Sequence, residues 1–293
     1  MARAELHPLL SLFTLFLTLS TLPSPSSPAT DTFIYGGCSQ LKYASASAYE
    51  TNLNSLITSL VNSATFSAYN NFTVTSSNSH DVVYGLYQCR GDLSMPDCSQ
   101  CIASAVRQLG VLCFDSCGGA LQLQGCFIKY DNTTFLGVED KTVVLKKCGP
   151  STGYNPDVMS RRDAVLASLT SGGGPYRVGG SEDVQGIAQC VGDLSASECQ
   201  DCLSQAIGRL RSDCGTAFSG DMFLGKCYAR YSTSPAAAGG GGGAGNYYYS
   251  QAKNDSSDET GKTLAIIIGL LAGVALIIIF ASLLRRVCGE KGK

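Results

Sequence analysis

With 293 residues the chain has room for two domains of ordinary size, and its composition alone favours no class. Between Asp31 and Lys262, 16 Lys+Arg face 21 Asp+Glu, a formal net charge of −5. That balance argues against a nucleic-acid partner, which calls for a basic face. Two histidines in the whole chain leave little room for imidazole catalysis or for zinc.

Residues 1–29 read as a cleaved secretory signal. Arg3 is followed by the apolar run Leu9 to Leu22 and then by Ser27-Pro28-Ala29, a small-x-small site. Behind such a signal three sequons become candidate glycan acceptors, at Asn71 (Asn71-Phe72-Thr73), Asn132 (Asn132-Thr133-Thr134) and Asn254 (Asn254-Asp255-Ser256).

The strongest internal signal is a duplication. Cys89, Cys98, Cys101, Cys113 and Cys126 recur 101 residues later as Cys190, Cys199, Cys202, Cys214 and Cys227. Gln88 to Cys101 (QCRGDLSMPDCSQC) is matched by Gln189 to Cys202 (QCVGDLSASECQDC), and a leading cysteine, Cys38 or Cys148, opens each copy. The copies are placed at 31–137 and 141–234. In the first, Leu53, Leu56, Ile57, Leu60 and Val61 recur at i, i+3, i+4, i+7 and i+8, which predicts an amphipathic helix. Val158, Val165, Leu166 and Leu169 predict its counterpart. A second helix is expected after Gly-Asp-Leu-Ser in each copy. Ser94-x-x-Asp97 gives an N-cap with an acidic third position, and Ser195-x-x-Glu198 a full capping box. Ala120 to Tyr130 and Met222 to Tyr231 alternate and are rich in aromatics, so they read as strands. Each copy is therefore expected to be α+β, helices packed on a small antiparallel sheet. Its modest core makes disulfides important, each contributing on the order of 2–5 kcal/mol in a small secreted domain. Six cysteines allow 15 connectivities, which spacing alone does not separate.

Residues 235–262 combine Gly239 to Gly243, Tyr247 to Tyr249 and an acidic patch from Asp255 to Glu259, and read as a flexible stalk. Thr263 to Leu284 carries no charge over 22 residues, enough for one membrane span, for which about 20 are needed. Arg285, Arg286, Lys291 and Lys293 then place residues 285–293 in the cytosol. A tail of nine residues is not expected to hold a kinase or any folded module. Cys288, beside the two arginines, is a candidate S-palmitoylation site.

Several chemistries are weighed and set aside. C-x2-C at Cys98/Cys101 and Cys199/Cys202 lacks a second ligand pair and a neighbouring histidine, since His80 lies in a Ser/Asn-rich loop; structural disulfides are the expectation. Asp92 and Asp193 are equivalent, but their Gly-Asp-Leu-Ser setting points to a turn or helix start. No nucleotide fingerprint is present, and neither a cofactor nor a metal nor enzymatic activity is expected. Cys117 has no counterpart, its offset position being Phe218. It leaves an odd number of cysteines outside the membrane and is the candidate unpaired thiol, with pairing between chains or competition with Cys113 as the alternatives.

The C-x8-C-x2-C string, present twice in phase, resembles the plant DUF26 domain, also called the ginkbilobin-2-like or salt-stress-response/antifungal domain. Signal, two copies, one span and a very short tail together resemble the plasmodesmata-located proteins. The resemblance implies two tandem five-stranded antiparallel sheets, each with two helices and three disulfides. Carried over, the family's pairing gives Cys38–Cys113, Cys89–Cys98 and Cys101–Cys126, then Cys148–Cys214, Cys190–Cys199 and Cys202–Cys227, and leaves Cys117 over. It also implies residence in the plasma membrane at plasmodesmata, regulation of cell-to-cell movement through callose, and association with like proteins or receptor kinases. A surface-tethered lectin binding cell-wall carbohydrate and an evenly spread co-receptor ectodomain are the alternatives. The single-domain ginkgo relative binds mannose through an Asn directly after its leading cysteine, and here Ser39 and Gly149 stand in that position.

Overall fold

The computed structural model describes residues 30–76, 81–151, 153–181 and 183–233. The segments read as signal, stalk, membrane helix and tail lie outside these residues, as do His80, Asn254 and Cys288. Among the described residues no helix is long and apolar enough to cross a membrane.

The first repeat contains β1 (Phe33–Cys38), α1 (Ala48–Ser63), β2 (Tyr69–Val74), β3 (Val83–Cys89), α2 (Met95–Leu112), β4 (Gly118–Leu123) and β5 (Cys126–Asp131). The second repeats the order with β6 (Val143–Cys148), α3 (Pro156–Ser171), β7 (Tyr176–Gly180), β8 (Val184–Cys190), α4 (Ala196–Asp213), β9 (Ser219–Leu224) and β10 (Cys227–Thr233). Each repeat is one antiparallel five-stranded sheet, in the orders β1-β4-β5-β3-β2 and β6-β9-β10-β8-β7. Two helices cover one face of each sheet.

The helices start where local chemistry tells them to. Ser47 and Ser94 accept from the backbone N–H three residues on, and Asn155 accepts from Asp157 and Val158. Ser195 and Glu198 form the full reciprocal box. Leu53, Leu56 and Leu60 on α1 are buried with Ile102, Ala105 and Leu109 of α2 over Val83, Tyr87, Leu121 and Ile128 of the sheet. In the second repeat Leu166 and Leu169 meet Leu203, Ala206, Ile207 and Leu210 over Ala188, Met222 and Tyr231. Each fully buried Leu or Ile contributes about 1.5–3 kcal/mol relative to exposure.

The two aromatic-rich segments are not single strands. Ala120 to Tyr130 folds as the β4–β5 hairpin and Met222 to Tyr231 as the β9–β10 hairpin. The break falls at a glycine in each case, where no side chain fits. A Cβ on Gly125 would stand 2.7 Å from Thr30 Cβ, and one on Gly225 would stand 2.3 Å from Asp140 Oδ2.

The bridges join helix to sheet. Cys89 and Cys126 are cross-strand neighbours on β3 and β5, and Cys98 and Cys101 lie one helical turn apart at the start of α2. The C-x2-C pair can therefore reach two adjacent strands, as Cys89–Cys98 and Cys101–Cys126, while Cys38–Cys113 ties β1 to the end of α2. The second repeat carries Cys190–Cys199, Cys202–Cys227 and Cys148–Cys214. Cys117 is a buried free thiol, and burial pushes it above its ordinary value.

Candidate functional site

Among the described residues no group of three or more His, Cys, Asp or Glu could hold a metal. Asp92 and Asp193 sit in the turn before their helices, yet Ser94 and Ser195 do the capping and the two carboxylates take cations instead. Asp92 receives Arg90 Nε at 2.6 Å, and Asp193 is paired with Lys226. The positions after the leading cysteines are spent on backbone pairing, Ser39 N–H to Gly118 and Gly149 N–H to Ser219. A Cβ on Gly149 would lie 2.4 Å from Ser219 Oγ.

The polar and aromatic side chains converge instead on the seam between the repeats, where the outer sheet faces meet. The contacts are reciprocal. Tyr69 of β2 lies over Gly192, and Tyr176 of β7 over Gly91, with ring atoms 2.7 and 2.5 Å from where a Cβ would stand. Gln88 Oε1 accepts from Gly192 N–H, while Gln189 Nε2 donates to the Cys89 carbonyl, both at 2.9 Å. Arg230 extends from its Asp221 partner to Gln124 Oε1 at 2.9 Å, and Tyr35 meets Phe223 edge-on with centroids 5.5 Å apart. Leu86, Phe127, Phe135 and Val191 form a separate apolar cluster in this seam.

The segment joining the repeats is fastened there. Lys226 and Asp193 form an ion pair with side chains 2% and 5% exposed, and Gly137 N–H donates to the same carboxylate oxygen at 2.9 Å. The Phe135 ring lies between Lys129 Nζ, 4.5 Å from its centroid, and Lys226 Nζ, at 5.2 Å. Burial pushes the Lys226 ammonium below its ordinary value, with Asp193 opposing that shift. Burial likewise raises the Tyr35 and Tyr228 hydroxyls.

A cavity of ≈ 20 Å³ remains between Gln88, Gln122, Gln189, Phe223 and Tyr228. That is room for about one water, which three amides and a phenol suit well, and it is far too small for a sugar ring. The seam can hold two repeats in one arrangement. Among the described residues its ion pairs, Asp193–Lys226 and Asp221–Arg230, are tied into the packing, and its cavity is not a ligand-sized cleft.

Of the sequons, Asn71 is exposed on the edge strand β2, with its amide donating to Tyr69 Oη at 2.7 Å. Asn132 follows β5 directly, its N–H bound to the Cys117 carbonyl. The seam was invisible to sequence reasoning. Its traces are the glutamine and the glycine repeated in the duplicated string, Gln88 and Gly91 against Gln189 and Gly192.

The profile of the salt stress response/antifungal family matches residues 37–133 and 147–234. Plasmodesmata-located protein 7 of Arabidopsis thaliana is 63% identical over 286 residues, covering 97% of this chain and 92% of the relative. Plasmodesmata-located protein 6 of the same organism is 59% identical, covering 94% and 95%. The crystal structure of the tandem DUF26 ectodomain of the Arabidopsis thaliana cysteine-rich receptor-like protein PDLP5 superposes with a TM-score of 0.67 at 53% identity. It covers 70% of this chain and all of that one. That of PDLP8 gives 0.68 at 43% identity, covering 70% and 99%. Duplicated fold, seam and similarity along nearly the whole length agree, and the chain belongs to the plasmodesmata-located proteins.

Proposed function

We propose that this chain is a non-enzymatic, single-span membrane protein of plasmodesmata, with its repeats on the wall side and its C-terminus in the cytosol. There it regulates cell-to-cell movement by promoting callose at the channel neck, acting through association with partners. The observation that carries this reading is the extent of the likeness. The 97% of the chain matched to plasmodesmata-located protein 7 takes in far more than the repeats, which occupy about two-thirds of it. The geometry of the described residues is consistent with a binding module. Its buried Arg90, Arg162, Arg230 and Lys226 each meet a carboxylate within structural contacts, and Arg177 is held by backbone carbonyls and Gln200.

Imaging of a fluorescent fusion after Lys293 at native expression level, with callose stained in the same cells, tests this. Paired puncta across the wall that coincide with callose are expected, with reduced dye movement on overexpression. Uniform label over the plasma membrane would overturn the reading.

A further inference from the structure

The duplicated fold contains its own control for surface chemistry, and one corner fails to match. Among the described residues ten large apolar side chains are exposed, and five of them gather beside β1: Phe33, Leu41, Val111, Leu112 and Phe114. Val111 and Phe114 are 84% and 71% exposed. Leu41, Leu112 and Phe114 flank the Cys38–Cys113 bridge, Val111 ends the helix beside them, and Phe33 opens β1 at its other end. Cys38 Sγ lies 3.4 Å from the Leu112 carbonyl, Cys117 N–H donates to the Leu41 carbonyl, and Leu112 Cδ2 is 2.4 Å from where a Cβ on Gly36 would stand. In the second repeat the same backbone carries Pro150, Ser212, Asp213 and Gly215 for Leu41, Val111, Leu112 and Phe114. Where Leu112 covers Gly36, Asp213 instead bridges Lys146 at 3.4 Å. The fold does not require this corner to be apolar.

The edge beside it differs in the same sense. β1 (FIYGGC) is an edge strand without a charged side chain, whereas its counterpart β6 (VVLKKC) carries Lys146 and Lys147. Lysines on an edge discourage strand pairing, and an uncharged edge invites it.

We infer that β1 and the apolar corner around Cys38–Cys113 form a docking surface for a second copy of this chain, paired antiparallel, β1 to β1, across a two-fold axis. The inference rests on the membrane-anchored reading proposed above. A second copy suits the surface because both edges are neutral and each apolar corner meets another, whereas β6 against β6 would set four lysines together. Five side chains fall short of the roughly 20–30 residues a side of a standard interface, so pairing is weak in free solution. Confinement of copies to one membrane supplies the missing effective concentration.

The test uses the full chain in liposomes at low density, with copies counted by single-molecule photobleaching and anchorage read separately by flotation. Wild type is expected to be mostly dimeric. Val111→Ser/Leu112→Asp, which carries the residues the second repeat tolerates, should weaken association at least about tenfold, since each buried Val or Leu is worth that or more. Gly37→Lys should do the same without a clash, because nothing lies within 4 Å of its Cβ. Phe66→Ser, at an exposed phenyl on another part of the repeat, should leave dimers intact. Monomeric wild type, or variants as dimeric as wild type, would overturn the inference. A chain that dimerises through this corner but does not float overturns the anchored reading alone.

Discussion

The Tyr69 ring of the first repeat lies against the backbone of Gly192 in the second, and Tyr176 returns the same contact to Gly91. The repeats are thus joined by a pair of aromatic-on-glycine contacts related by the duplication, with Gln88 and Gln189 closing the hydrogen bonds beside them. A Cβ at either glycine must push a ring out of a closed seam.

Gly192→Ala is therefore expected to destabilise the tandem by about 1–3 kcal/mol, the usual cost of overpacking. Thermal unfolding should show a lowered midpoint. Adding Tyr69→Ala, which removes the obstructing ring, should make the Gly192→Ala step nearly neutral in a double-mutant cycle. An equal loss in both backgrounds would show that the ring contact does not set the cost.

The Asp193–Lys226 pair makes a second, larger prediction. Both side chains are almost fully buried, so Lys226→Met strands a carboxylate that still receives the Gly137 N–H. A loss of about 3–5 kcal/mol is expected by denaturant titration. Asp193→Asn/Lys226→Met should recover a substantial part of it, because no buried charge is then left alone. The released linker should also become cleavable near Phe135 in limited proteolysis of the single variant.

Much of this architecture was legible. The i, i+3, i+4 pattern of Leu53, Leu56 and Leu60 and the caps at Ser94 and Ser195 are local signals, and the helices begin and bury where these place them. The hairpin breaks at Gly125 and Gly225 were not legible, because apolar alternation runs through both turns. The seam was hidden for a different reason. It pairs residues roughly a hundred positions apart, and no short-range period encodes such a contact. Cysteine spacing placed the bridges in phase, but their partners came only through family resemblance. The apolar corner could have been found by reading Val111, Leu112 and Phe114 against Ser212, Asp213 and Gly215.

Acid should act first on the second repeat. There Arg161, holding Asp183 through two bonds of 2.8 and 2.7 Å, keeps that carboxyl below its ordinary 3.8. The Ser195 hydroxyl and N–H hold Glu198 below its ordinary 4.5, and the Ser212 hydroxyl, with Lys146, lowers Asp213. A carboxyl lowered by folding is protonated first in the unfolded chain. Its stabilisation is complete above about pH 4.5 and is lost as pH falls through the folded-state values. Thermal midpoints measured from pH 6 to about 2.5 should be level and then decline, and Arg161→Gln should flatten that decline. An unchanged slope in the variant would remove Asp183 from the explanation.

Cys117 makes the last prediction, because its state bears on the bridges around it. The thiol is 6% exposed, burial raises its pKa from an ordinary 9.0, and its own carbonyl anchors Tyr49 Oη at 2.6 Å. Low accessibility and a small thiolate fraction both slow alkylation, so iodoacetamide at pH 7.5 should leave native Cys117 largely unmodified and label it promptly on unfolding. Because Tyr49 binds the backbone, Cys117→Ala keeps that hydrogen bond and should cost only about 1–2 kcal/mol of lost packing. Cys38 and Cys113 should stay unlabelled in wild type and in Cys117→Ala alike, as read by peptide mass mapping of the oxidised protein. A label appearing on Cys38 or Cys113 only in Cys117→Ala would mean that Cys117 shares in a bridge, and the pairing around β1 would have to be redrawn.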